Sequence, residues 1–129
     1  MALSSAVRTS RPAPRPRAMR PVDLVHLAKQ CQGDEHREHA MLRQFETRVS
    51  IYLAWLSSAT TNEDIAATLG TIIGSATAVG AVSVANLARA AEGQLAAGTS
   101  PTPETLADLA HAIEEARAFI GDMLSKERS

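Results

Sequence analysis

From Pro21 onward, apolar residues recur at intervals of three and four, the spacing that lines one face of an α-helix. Val22 to Gln30 forms a first short segment with Leu24, Leu27 and Ala28 on one side, and Gly33 ends it. Asp34 is placed to cap a long helix whose first turn holds Glu35 and Glu38, where the helix dipole favours negative charge. This helix runs to about Ser58 with Leu42, Phe45, Val49, Tyr52, Leu53 and Leu56 along its core-facing stripe. Thr60, Thr61 and Asn62 interrupt the pattern, and Thr61 or Asn62 caps a third helix that ends near Gly80. A fourth, from about Ala81 to Ala97, gathers Val84, Leu87, Ala88, Ala91 and Leu95 on one face and closes at Gly98. After Pro101, Thr102 and Pro103 suit the N-cap and first position of a last helix that reaches about Leu124. One short helix and four longer ones with short connections predict an all-α fold, an up-down antiparallel four-helix bundle.

Within this pattern, Ile65 to Ala88 spans 24 residues without a charge or a histidine. It carries Ala66, Gly70, Gly74 and Ala78 at four-residue spacing, which predicts a smooth stripe of small side chains along the third helix. Such a stripe admits close approach and offers nothing that moves a proton or a phosphoryl group. It therefore points to contact, either with a neighbouring helix of the same bundle or with a partner. An uncharged run of this length is also long enough to span a bilayer, and small residues four apart serve membrane helices too. Thr68, Thr71, Ser75, Thr77, Ser83 and Asn86 are polar, and Gly80 divides the run, so it reads as two consecutive bundle helices without a membrane span.

Charge changes the picture at the N-terminus. Arg8, Arg11, Arg15, Arg17 and Arg20 fall in residues 1–20, while all 14 acidic groups lie beyond them, leaving an acidic body. An acidic body argues against nucleic-acid binding, which needs Lys and Arg at the phosphates. Pro12, Pro14 and Pro16 oppose the amphipathic helix of a transit peptide, and no apolar core segment of a signal peptide follows. Residues 1–20 are predicted to form a disordered Arg/Pro-rich tail and residues 21–129 a single domain. Cys31 is the one cysteine, so the fold has no internal disulfide.

Candidate chemistry is sparse. His36 and His39 sit beside Asp34, Glu35 and Glu38, but their spacing matches no metal-ligand motif, and a solvated helix start is expected there. His26 and His111 have no carboxylate partner evident in sequence. Gly70 to Ser75 superficially resembles a phosphate-binding loop, yet it lacks the lysine and lies within a helix. Neither a metal nor a cofactor is expected.

The stretch Ile72-Ile73-Gly74-Ser75-Ala76-Thr77-Ala78-Val79-Gly80-Ala81 resembles the signature of histidine-containing phosphotransfer (Hpt) domains, commonly His-x-Leu-Lys-Gly-Ser-x-x-x-x-Gly-Ala. The resemblance extends outward through Leu27, Gly33-Asp34, Leu42 and Phe45, and through Leu87, Ala91 and Glu92, covering roughly residues 22–123. It implies a four-helix bundle with a short N-terminal capping helix, and a cytoplasmic role in two-component phosphorelay signalling. With Gly74-Ser75 and Gly80-Ala81 as anchors, the phosphoacceptor position falls on Gly70 and the lysine position on Ile73. Glycine supplies no nucleophile and isoleucine no cation, so the resemblance implies a divergent, non-catalytic member and not an enzyme. In the family the glycine after the lysine gives a receiver domain room to approach, and Gly74 keeps that room. The implied partner-binding residues are Ala66, Gly70, Ile73, Gly74 and Thr77, with a response-regulator receiver domain or a histidine kinase as partner. Two alternatives stand beside this: phosphotransfer through a displaced histidine among His26, His36, His39 and His111, or a structural homodimer that pairs the stripe with itself.

Overall fold

The computed structural model describes residues 20–128, all of whose regular elements are helical. The tail expected over residues 1–20 lies, apart from Arg20, outside the described residues. Five helices follow in order: α1 (Leu24–Gln30), α2 (Glu35–Ser58), α3 (Asn62–Val79), α4 (Val82–Ala96) and α5 (Pro103–Arg128). Their bounds fall within a few residues of the expected ones because the sequence carries its own stops and starts. Asp23 accepts hydrogen bonds from the Val25 and His26 amides at the start of α1. Asp34 does the same for the His36 and Arg37 amides of α2, and Thr61 Oγ1 for Asp64 in α3. Each bond satisfies an amide that has no partner inside its helix.

Burial of apolar faces organises the rest. Leu27, Leu42, Leu69, Ile72, Leu109, Ile113 and Ile120 are fully buried in one cluster drawn from α1, α2, α3 and α5, and Val84, Ala88 and Ala91 bring α4 into it. Tyr52, Leu53, Leu87 and Leu95 pack at its margin, half-buried. Along the chain, α2 packs on α3, α3 on α4, α4 on α5 and α5 back on α2. The short α1 lies against α3 and α2.

The α3–α4 corner decides where α1 sits. Gly80 ends α3 in the left-handed conformation (φ 82°), its amide bonding to the Ala76 and Thr77 carbonyls, while the Ala81 amide bonds to Ala76 at 2.8 Å. This double closure uses the last carbonyls of α3 and favours glycine at its left-handed position. The Gly80 carbonyl then accepts the Asp23 amide at 2.8 Å, which fastens the start of α1 to the corner.

His39 departs from its expected solvated position. It is 7% exposed, because it precedes Leu42 by three residues and so turns toward the buried side of α2. Among the described residues no helix is long and apolar enough to cross a membrane, and the uncharged run divides between α3 and α4 at Gly80.

Candidate docking surface

The inward face of α3 is Thr68, Leu69, Ile72, Ala76 and Val79, all buried. Its opposite face presents Ala66, Gly70, Gly74 and Thr77, all exposed, with half-buried Ile73 at one edge. The five residues singled out from the sequence thus share the outer side of one helix. The four-residue stripe does not stay straight, however. Four residues turn about 400°, so each step drifts about 40° around the axis. Ala66 accordingly borders α4 beside Arg89, Glu92 and Gly93, whereas Ala78 reaches the α2 side beside Met41, Phe45 and Arg48.

Gly70 and Gly74 have no role in packing the bundle. A Cβ built on Gly74 meets nothing within 4 Å, and one built on Gly70 meets only the Glu92 Oε2 at 3.9 Å. Close helix packing, the internal explanation of small residues, does not apply to either position. Both lie within α3, where glycine costs roughly 1 kcal/mol relative to alanine. Gly70→Ala and Gly74→Ala are therefore expected each to stabilise the protein by about 0.5–1 kcal/mol in urea unfolding, with no loss of helical circular dichroism.

Two grooves flank this face. On the α4 side an open groove of about 710 Å³ has Ala66, Gly93 and Ala96 among its small walls and Glu63, Arg89 and Glu92 at its polar rim. On the α2 side a groove of about 350 Å³ runs between Trp55 and Thr71. Trp55 is 53% exposed and tilts against Tyr52 with ring centroids 5.4 Å apart, while Ile51, one turn earlier, is 45% exposed. A half-exposed tryptophan offers a large rigid contact area, the kind of anchor that dominates protein interfaces. Its place off the Leu42–Leu56 core stripe was the available sequence signal. Arg89 and Glu92 gave none, because only the packing of α4 on α3 brings them to this face.

The histidines separate. His26 is brought to α3, where its Nε2 lies 2.9 Å from the Thr77 carbonyl. A carbonyl only accepts, so Nε2 carries a proton and donates. His111, expected to lack a carboxylate partner, instead faces Glu115 one turn on in α5, at 3.5 Å on the exposed side, a pair that the four-residue spacing already offered. Among the described residues no three His, Cys, Asp or Glu side chains gather as metal ligands.

No family model, no curated protein and no solved structure matches this chain.

Proposed function

We propose that this chain is an Hpt-like binding module of two-component signalling, cytoplasmic and without catalytic activity of its own. In this reading the four long helices form an up-down antiparallel bundle, with α1 as its short capping helix. The outer face of α3, through Ala66, Gly70, Ile73, Gly74 and Thr77, docks a receiver or histidine-kinase domain and modulates phosphorelay traffic without accepting phosphate. The observation that carries the reading is the open space around Gly70 and Gly74. Two helix-weakening residues stand on a solvent face where the bundle has no use for them, and a partner's backbone or side chains are what that space admits. The neighbour order of the helices and the resemblance around Gly74-Ser75 and Gly80-Ala81 support the architecture.

A second reading has one observation in its favour. His26 lies against Thr77 on α3, so a displaced phosphoacceptor would be this imidazole, with Nδ1 as its nucleophile. Incubation of the full chain with a phosphorylated receiver domain, followed by assay for acid-labile phosphate, separates the two. The binding-module reading expects no label on this chain. Label that disappears in His26→Gln would replace it with a working phosphotransfer protein.

A further inference from the structure

Where α1, α3 and the first two turns of α4 meet, a cleft of about 150 Å³ is lined by His26, Thr77, Asn86 and Arg89. Its volume equals about five waters, enough for a small tetrahedral ion. Arg89 is the one cation in the whole of α3 and α4. It makes no ion pair among the described residues. Its guanidinium donates instead to Asn86 Oδ1 and to Thr77 Oγ1, both at 3.4 Å, the outer limit of hydrogen-bonding distance. The guanidinium is thus held by neutral oxygens, with no described carboxylate within ion-pair distance, although Glu92 shares the neighbouring groove with it.

Arg89 occupies the Asn86 carbonyl oxygen and a lone pair of the Thr77 hydroxyl. The Asn86 amide hydrogens, the Thr77 hydroxyl hydrogen and the remaining guanidinium hydrogens are exposed and bond to no other described residue. The three side chains therefore present donors around a positive charge, which matches a ligand that only accepts. His26 forms the wall toward α1, its ring held by the Thr77 carbonyl. Asp23 is the one carboxylate lining the cleft, and its Oδ1 is turned to the Val25 and His26 amides. α4 begins beside the cleft at Ala81 with no side-chain cap, so the positive end of its dipole adds to the field there.

We infer that the Thr77–Asn86–Arg89 cleft binds a phosphate group, with Arg89 as its charge and the Thr77 hydroxyl and Asn86 amide as flanking donors. Donors arriving from two helices suit the several oxygens of a tetrahedral dianion better than the two of a carboxylate. The Asp23 charge nearby keeps the expected affinity in the millimolar range. The site needs no docked partner and so goes beyond the docking proposal.

The test follows the Arg89 and Thr77 resonances of the full chain by NMR, at constant ionic strength set with chloride. Inorganic phosphate, a phosphoserine peptide and acetate are titrated separately. Saturable shifts with phosphate and no saturation with acetate are expected, and Arg89→Gln is expected to weaken phosphate binding about tenfold or more. Arg48→Gln removes the same charge elsewhere and leaves binding unchanged. Saturation by phosphate alone assigns the site to the free ion, and tighter binding of the phosphopeptide assigns it to a phosphorylated side chain; both support the cleft. Equal responses to phosphate and acetate, or equal effects of Arg89→Gln and Arg48→Gln, overturn it. Because no receiver domain is used, failure here leaves the docking face standing, and the reverse also holds.

Discussion

Gly80→Ala is expected to cost about 2–4 kcal/mol and to lower Tm by on the order of 10–20 °C. Two causes add. The residue sits at φ 82°, a conformation that costs an L side chain roughly 1–2 kcal/mol. A Cβ there would also lie 2.9 Å from the Asp23 carbonyl oxygen and 3.3 Å from the Asp23 amide nitrogen. Those atoms are backbone, so they cannot swing aside as a flexible side-chain tip would. Relief requires α1 to withdraw, which breaks the Asp23 amide bond to the Gly80 carbonyl and threatens the bond between His26 and Thr77. Gly98→Ala provides the control. Gly98 has φ 86° but nothing within 4 Å of the new Cβ, so only the conformational cost of about 1–2 kcal/mol applies. Urea unfolding of both variants measures the difference. Equal losses would show that the contact between α1 and the α3–α4 corner contributes little.

That corner also marks the limit of what the sequence reveals. Helix starts and stops were legible because capping and left-handed closure are local events, encoded at Asp34, Thr61, Gly80 and Gly98. The inward positions of α2 and α4 were legible for the same reason, since periodicity needs only neighbours in sequence. The bond from Asp23 to Gly80 was not, because it joins residues far apart in the chain and involves backbone alone. Gly80 therefore reads from sequence as a break, while its structure makes it the seat of α1. The same distinction applies at the candidate docking face. Ala66, Gly70 and Gly74 share one side as their spacing implied, but the four-residue stripe winds away from that side at Ala78. Trp55, Arg89 and His26 join the face or its edge only through helix packing, which no local pattern records. His39 shows the converse error, where a polar cluster at a helix start suggested solvent and the helical turn placed the ring inside.

The glycines of α3 give the functional proposal its sharpest form. Gly74→Arg places a long cation in open space, so the bundle is expected to keep its helical circular dichroism and to lose no stability. The same side chain would fill the surface that a docking domain must approach. Gly70→Arg tests the neighbouring turn, where Glu92 lies close enough to pair with the new guanidinium. Loss of binding in Gly74→Arg without any pairing change would thus locate the effect on the partner's side of the face. Its magnitude is expected to be large, because a bulky charge at the centre of an interface removes close packing and leaves a desolvated cation.

The most direct measurement is isothermal titration of wild type and Gly74→Arg with a set of receiver and histidine-kinase domains. The expected result is saturable binding of at least one such domain by wild type, weakened on the order of a hundredfold in the variant. Undiminished binding by a folded Gly74→Arg protein would contradict the outer face of α3 as the docking surface. No binding of any receiver or kinase domain by wild type would contradict the signalling role itself.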